Sequence, residues 1–354
     1  MKSVLELDML QTAGLGALAL VLGMCLTRRV KWLQRFCIPS PVSGGIVFSV
    51  VSLMLYKLWN VELVFDGTLK DVFMLVFFTS VGFQSNLKVL RRGGSTLLLM
   101  LGVLAFIIVV QNVLPLGIAW IMGVNPLVGM AAGSISMAGG HGTAGGFSAV
   151  LEGMGLSGAG TIAMAAATFG LIMGSVTGGP LAERLIRTKL TAEHLEPKDY
   201  EVDPAMAGLE SDEASPAGRA KHISSNEQEF QQYAKATYAL LIVVAAGSLM
   251  SWLLQQTGVT FPTYFGALIV AAIVRNVAEA CKLTPKMELD KIVSVGNICL
   301  SVFLGMAMVS LKLWELESLA LPLVVMLVAQ VVAMALIAYF VAFNILGRDL
   351  ASGI

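Results

Sequence analysis

The sequence predicts an all-α polytopic membrane protein built from two inverted-topology five-helix repeats, with the second repeat incomplete. Three observations support this fold class. Hydrophobic residues make up 56% of the 354 positions and charged residues only 13%, about half the charged fraction of an ordinary globular protein. Nine apolar stretches are divided by one polar linker. Finally, sixteen of the 36 glycines fall between Gly123 and Gly179, inside an apolar region.

The apolar stretches are predicted to be membrane spans, because a helix needs roughly 20 apolar residues to cross a bilayer. The predicted spans are 9–26, 38–58, a short 72–83, 95–122, 158–181, 236–254, 262–280, 292–311 and 318–346. The first five belong to an N-terminal repeat over 1–187 and the last four to a C-terminal repeat over 236–354. Between them, the acidic, proline-containing segment 188–235 predicts a polar linker without a core.

The apolar segment 126–140 is too short to be a further span. Its 15 residues would form a helix of about 22 Å, against a hydrocarbon core of about 30 Å. The sequence therefore predicts a re-entrant loop over 126–153, with non-helical backbone at 139–146 reached from the external side. Irregular backbone survives at membrane depth only where it packs in protein or lines a cavity.

Basic residues predict the orientation of the spans. They follow the ends of the odd-numbered spans: Arg28, Arg29, Lys31, Arg35, Lys88, Arg91, Arg92, Arg184, Arg187, Lys189, Lys282, Lys286, Lys291 and Arg348. Cytoplasmic loops carry the excess of Lys and Arg. We therefore expect the N-terminus outside and the central linker in the cytoplasm.

The two halves share landmarks at a nearly constant spacing. Pro39 before the second span matches Pro262 before the seventh at an offset of 223 residues, and Gly123 after the fourth span matches Gly347 at an offset of 224. Five spans separate equivalent positions, so the two units would have opposite orientations. Inverted repeats with a binding site at their interface are a recurrent transporter architecture.

The glycine-rich segment contains the candidate binding residues. His141 is the one histidine in the predicted membrane portion, and an ionisable group there is a functional candidate. It either contacts substrate or fixes the loop through a hydrogen bond to a neighbouring helix. The full candidate set for substrate or ion contact is Ser136, Gly139, Gly140, His141, Gly142, Thr143, Gly145, Gly146 and Asn297.

Alternative interpretations of this segment are open. The glycines also permit close helix packing, and Asn297 could serve an interhelical hydrogen bond. No predicted span has a carboxylate at its middle, which disfavours proton coupling. Hydroxyl and carbonyl oxygens suit sodium, with Thr143 as the candidate contact.

Several function classes are disfavoured by composition. A net charge of zero gives no basis for nucleic-acid binding. The four cysteines are widely separated, without metal-ligand spacing. An intramembrane enzyme using His141 would need a nucleophile or paired acids nearby, and the sequence offers none. We therefore expect no catalytic residue, no resident metal and no cofactor.

Four segments carry a resemblance to a known family. The segments 38–45, 139–146, 165–180 and 301–321 resemble the bacterial glutamate:sodium symporter family, and the Gly-Gly-His-Gly-Thr motif is its most specific part. The resemblance implies an inner-membrane carrier that takes up L-glutamate with Na⁺ as coupling ion, by alternating access. It also implies that two re-entrant loops meet at the translocation site, and it allows a homodimer.

The sequence departs from the family pattern at its end. The repeat offset places the partner of His141 near position 365, beyond Ile354. We therefore expect a C-terminally shortened member that lacks the second loop and a tenth span, and that transports little by itself. The alternatives are a channel-like or non-transporting membrane subunit, and a carrier for another small organic anion.

Overall fold

The computed structural model describes residues 3–36, 38–88, 94–189, 219–259, 261–283, 287–342 and 345. Some predicted features lie outside the described residues. They include most of the linker 188–235, the chain end after 345 with Gly347 and Arg348, and the basic residues Arg91, Arg92 and Lys286.

The described chain is predominantly helical. The helices are α1 Met9–Arg29, α2 Lys31–Arg35, α3 Ser40–Trp59, α4 Thr68–Phe83, α5 Gly94–Ile121, α6 Pro126–Ala132, α7 Ser134–Met137, α8 Gly140–Gly153, α9 Ala159–Lys189, α10 Arg219–Gln255, α11 Tyr264–Ala280, α12 Leu289–Val309 and α13 Ala320–Ile337. A 3₁₀ turn, Leu313–Leu316, joins α12 to α13, and a π-helical turn, Ala338–Ala342, continues α13.

Each of the nine predicted spans coincides with one of the longer helices. Seven of these helices are long and apolar enough to cross a membrane, so the protein is a multi-pass membrane protein. The other two, α4 with 16 residues and α11 with 17, reach only about 24–26 Å. Both pack inside a helix bundle, where neighbouring helices rather than lipid surround much of their surface.

One element was not predicted. Ser3–Leu7 (β1) and Val61–Phe65 (β2) form a two-stranded parallel sheet, with Ser3 opposite Val61 and Leu7 opposite Phe65. The sheet joins the start of α1 to the end of α3. The all-α prediction is therefore right for the membrane part and misses this small extramembrane pair.

The long helices pack as two bundles. The six-helix bundle contains α1, α3, α4, α10, α11 and α12, three from each half of the chain. The second bundle contains α5, α9, α13 and the broken segment α6–α8. Contacts are extensive within each bundle, and α8 against α12 is one of the places where the two meet.

Small residues hold the six-helix bundle together. A Cβ added to Gly44 would strike the backbone of Ala19, and one added to Gly305 would lie 2.5 Å from the carbonyl oxygen of Gly16. The Ser49 hydroxyl also donates to the carbonyl oxygen of Met308 at 2.7 Å. In lipid the hydrophobic effect does not favour contact between helices. Close backbone packing and interhelical hydrogen bonds of this kind drive helix association instead.

Candidate functional site

The segment 126–153 is a broken helix within the second bundle. Its first part, α6, begins at Pro126, and the Asn125 side chain caps it by accepting from the Leu127 amide at 3.0 Å. The helix stops at Gly133, whose ψ of −144° is not helical. The short α7 follows, and a second break at Gly140, with φ of +69°, starts α8. A positive φ suits glycine because it has no Cβ.

The motif Gly140–Gly146 is helical. It forms the first half of α8, so the prediction of non-helical backbone over 139–146 is wrong, and the irregular backbone is confined to Gly133 and the Gly139–Gly140 link. Intrahelical hydrogen bonds satisfy peptide groups in an apolar interior. This requirement overrides the low helix propensity that glycine shows in water.

Two hydroxyl groups tie the broken pieces to one another. Ser136, which is buried, donates from its hydroxyl to the carbonyl oxygen of Ala131 at 2.6 Å. Thr143 on α8 reaches back to the carbonyl oxygens of Ile135 at 2.6 Å and Gly140 at 3.2 Å. Both hydroxyl groups can therefore donate hydrogen bonds within the segment. The Thr143 hydroxyl and the carbonyls of Ile135 and Gly140 form a cluster of three oxygens.

His141 faces its own bundle. Its Nε2 lies 3.1 Å from the Thr168 hydroxyl on α9, and that hydroxyl also lies 2.9 Å from the carbonyl oxygen of Met164. Because a carbonyl can only accept, Thr168 gives its proton to Met164. The hydrogen-bond network therefore assigns the proton of a neutral His141 to Nε2, as the donor to Thr168. The arrangement matches the loop-fixing alternative.

The motif glycines face aromatic rings of the other bundle. A Cβ at Gly145 would strike the Phe303 ring and one at Gly146 the Tyr264 ring, whereas one at Gly142 would lie 3.4 Å from the Phe78 ring. Phe78 and Tyr264 are stacked, with centroids 3.7 Å apart and planes 11° apart. The absence of side chains on α8 thus lets it lie directly on a ring surface.

A cavity of about 730 Å³ lies where the bundles meet. Its walls come from both sides, with Gly145, Gly146 and Ser148 on α8 opposite Met74 and Ala307 of the six-helix bundle. Small-molecule sites occupy about 300–1,000 Å³. Charged side chains also line it: Lys70, Asp71, Glu152, Lys312 and Glu315.

The charged side chains near the 3₁₀ turn form a connected group. Lys312 pairs with Glu62 of β2 at 2.8 Å. Burial raises the pKa of the Glu315 carboxyl, and the nearby Glu152 carboxylate acts in the same direction. Lys312 and Thr161 oppose that rise. Partial burial among like charges therefore favours the protonated form of Glu315 relative to a carboxyl group in water.

The structure brings together most of the predicted site residues. Ser136 and the motif residues lie on one continuous segment, but only Gly145 and Gly146 of that set line the cavity. Asn297 lies elsewhere. It is exposed on α12, six residues from Phe303, hence about 9 Å along the helix and about 120° around it. A contact between Asn297 and substrate stays a prediction.

Sequence reasoning missed the polar wall of the cavity. Ser148, Thr161, Lys312 and Glu315 are distant in sequence and meet only through packing. One signal was available, since Glu152 is the one formal charge between Gly93 and Ala182. Such an isolated charge in an apolar region indicates a polar environment in the fold.

Fold and site together define a multi-pass membrane protein with a small-molecule cavity between two helix bundles, the architecture expected of a carrier. The family model described as "Sodium/glutamate symporter" matches residues 5–354. The chain belongs to the sodium/glutamate symporter family.

Curated relatives agree over nearly the whole chain. The sodium/glutamate symporter of Escherichia coli (strain K12) is 38% identical over 347 residues, which cover 97% of this chain and 82% of the relative. The sodium/glutamate symporter of Haemophilus influenzae is 34% identical over 340 residues, 96% of this chain and 81% of the relative. No solved structure matches the chain.

Proposed function

We propose that the protein is a secondary carrier of the bacterial inner membrane that takes up L-glutamate with sodium by alternating access. The observation that carries this proposal is the cavity between the two bundles, floored by the motif glycines Gly145 and Gly146. A substrate held at such a boundary is exposed to one side or the other when the bundles move relative to each other. Membership of a symporter family argues against the intramembrane-enzyme alternative.

The packing supports an inverted repeat. If spans one to three correspond to spans six to eight, each main contact in the six-helix bundle has an equivalent. The pair α1–α3 corresponds to α10–α11, α3–α12 to α11–α4, and α1–α12 to α10–α4, while α4–α12 corresponds to itself. A pseudo-two-fold axis that passes between α4 and α12 and exchanges them would produce this pattern. Re-entrant geometry of 126–153 fits the same scheme.

The proposed orientation places the cavity at the external side. With the N-terminus outside and the linker cytoplasmic, the helix ends that carry Lys70, Glu152 and Lys312 face outward, as does the β1–β2 sheet. The basic clusters at Arg28–Arg29 and Arg184 then face the cytoplasm, as the distribution of Lys and Arg requires.

Polar groups of the cavity match the charges of glutamate. The ammonium groups of Lys70 and Lys312 can form ion pairs with the carboxylates of the substrate. The hydroxyls of Ser148 and Thr161 can donate hydrogen bonds to the same carboxylates. Glu152 already lies 3.4 Å from the Gly160 amide at the start of α9, the kind of helix terminus that favours negative charge. A substrate carboxylate can take the position that Glu152 now holds.

Sodium is assigned to the oxygens around Thr143. The Thr143 hydroxyl, Ile135 carbonyl and Gly140 carbonyl lie together, and such oxygens suit a small hard cation. Thr143→Val should raise the sodium concentration for half-maximal uptake about tenfold, whereas Thr143→Ser, which keeps the oxygen, should stay within about twofold. Equal sodium dependence of both variants would remove Thr143 from the proposed site.

The function is tested with purified protein in proteoliposomes. An inward sodium gradient should drive uptake of labelled glutamate, against the expectation from the sequence that the chain transports little by itself. Unlabelled internal glutamate should accelerate exchange without a gradient. A channel would equilibrate glutamate without such counterflow, and a non-transporting subunit would show neither. Unlabelled aspartate, α-ketoglutarate and succinate are each tested at saturation as competitors of labelled glutamate uptake. If any of them inhibits uptake more strongly than unlabelled glutamate does, the protein is a carrier of that other organic anion.

The side of access and the assembly state are separate tests. Ala144 is fully buried, whereas Ala149 is exposed and lines the cavity. In a cysteine-free background, Ala149→Cys should react with an impermeant maleimide added outside, and glutamate with sodium should slow it. Labelling from the cytoplasm alone would reverse the proposed orientation. The homodimer stays a prediction, which mass measurement of the protein in detergent can check.

A further inference from the structure

Three backbone groups beside the break at Gly133 form hydrogen bonds with side chains. The Ser136 hydroxyl donates to the Ala131 carbonyl oxygen at 2.6 Å. The Gln330 Nε2 donates to the Ala132 carbonyl oxygen at 3.0 Å. On the other side of the break, the Ser134 amide donates to the Asn112 Oδ1 at 3.1 Å. Peptide groups buried in an apolar interior require such partners.

Two of these partners come from different long helices. Asn112 belongs to α5 and Gln330 to α13, so the two carboxamides hold opposite sides of Gly133 from separate elements. Gln330 is fully buried. Its orientation is fixed chemically, because the opposite flip would place Oε1 against the Ala132 carbonyl oxygen and two acceptors would face each other.

The Gln330 carboxamide has only one of its two polar atoms paired. Its Oε1 is buried and accepts no hydrogen bond within the described residues, and neither does the Oε1 of Gln111. An apolar side chain of similar size would avoid that unsatisfied acceptor. Replacing Gln330 by leucine removes one unpaired acceptor, Oε1, and creates another at Ala132. The number of unsatisfied groups is then unchanged, so stability should change little.

We propose that Gln330 and Asn112 are positioning residues for transport, a carboxamide clamp that sets the position of the motif helix α8 by holding both sides of the Gly133 break. The inference rests on the proposed function, because α8 carries the glycines that floor the cavity. The clamp also links α13, from the second half of the chain, to a segment of the first half. Because Gln330 of α13 is bonded to the Ala132 carbonyl, a displacement of α13 is transmitted through this clamp to the motif helix α8.

The test uses Gln330→Leu with a reporter that does not depend on transport. Ala138 is exposed between α7 and α8, so Ala138→Cys, in a background without the four native cysteines, reports the position of the link. Gln330→Leu should increase its maleimide labelling rate about fivefold and raise the apparent KM for glutamate about 5- to 10-fold, the equivalent of one net hydrogen bond. The melting temperature should stay within about 3 °C of the parent.

A matched control is Gln84→Leu. The Gln84 carboxamide donates only weakly, at 3.4 Å, to Ser80 of its own helix, so its loss should leave labelling and KM unchanged. Asn112→Leu should resemble Gln330→Leu, and the double variant should exceed either single change by less than about twofold, because both act on one break.

Three results would overturn the clamp. They are unchanged Ala138 labelling and KM in Gln330→Leu, faster labelling with an unchanged KM, and equal effects of Gln84→Leu. Failure of the unmutated protein to take up glutamate would contradict the proposed function instead. The labelling rate would then still decide whether the two carboxamides hold the break.

Discussion

Glycine serves different purposes in the six-helix bundle and at the boundary between the bundles. Inside the bundle, Gly44 and Gly305 lie against the backbone of a neighbouring helix, which cannot move without separating the helices. At the boundary, Gly145 and Gly146 lie against the rings of Phe303 and Tyr264. Glycines packed against backbone hold neighbouring helices together. Glycines packed against rings leave α8 without protruding side chains at this boundary, so that one bundle can slide over the other.

The largest effect is expected inside the six-helix bundle. Gly44→Ala places a methyl group against the Ala19 backbone and should lower the free energy of unfolding by about 3 kcal/mol. Gly14, on α1, has no neighbour within 4 Å of an added Cβ, so Gly14→Ala should be neutral or slightly stabilising. Thermal unfolding in detergent measures both, and equal melting temperatures would contradict the locking role.

At the boundary, transport should respond more than stability. Gly146→Ala should reduce the maximal rate of uptake about tenfold and lower stability by about 1 kcal/mol, less than Gly44→Ala, because a ring can shift further than backbone can. Gly153→Ala on the same helix, whose added Cβ would have no neighbour within 4 Å, serves as the control and should stay within about twofold. Adding Tyr264→Leu to Gly146→Ala should restore uptake. No restoration would show that the ring contact is not the cause.

A smaller effect is expected where the motif attaches to its own bundle. Thr168→Val removes the partner of His141 and should lower uptake about fivefold, and His141→Ala should lower it at least as much. The double variant should match His141→Ala, since both remove one hydrogen bond. Additive losses would instead indicate that the two side chains act independently of their shared hydrogen bond. Initial rates in proteoliposomes distinguish these outcomes.

The smallest effect concerns the pH dependence of stability. The pKa of Glu315 is raised above its ordinary value of 4.5 by burial, so the folded state favours the protonated acid. Its stabilising contribution is present below pH 4.5 and is lost as pH rises through the raised value. Glu315→Gln should remove this component. The melting temperature of the variant relative to the parent should therefore increase between pH 4 and pH 7, and a constant difference would contradict the pKa direction.

Periodicity and composition were sufficient to locate the long helices, because membrane crossing imposes length and apolarity on each one. The short segment 126–140 correctly indicated a departure from spanning structure, and its breaks fall at glycines. The contact of Gly145 and Gly146 with the rings of Phe303 and Tyr264 was not predictable, since both rings come from residues more than a hundred positions away. The same holds for the cavity wall, where Lys312 meets residues of both halves.

The central claim is that uptake requires movement at the bundle boundary, and a reversible cross-link tests it most directly. A Cβ at Gly158, beside α9, would lie 3.4 Å from that of Glu315, close to the separation in a disulfide of about 3.8 Å. The 3₁₀ turn carrying Glu315 is held to α3, with Trp314 stacked on Tyr56 at 4.1 Å. Gly158→Cys combined with Glu315→Cys, in the cysteine-free background, would therefore join the two bundles.

Oxidation of this double variant should abolish sodium-driven glutamate uptake, and reduction should restore it. Each single variant should be insensitive to oxidation. The two single variants also control for the strain of replacing Gly158 at φ of +70° and for the loss of Glu315. Complete cross-linking, verified by mass spectrometry, together with full uptake would show that the bundles do not move at this boundary and would contradict the account.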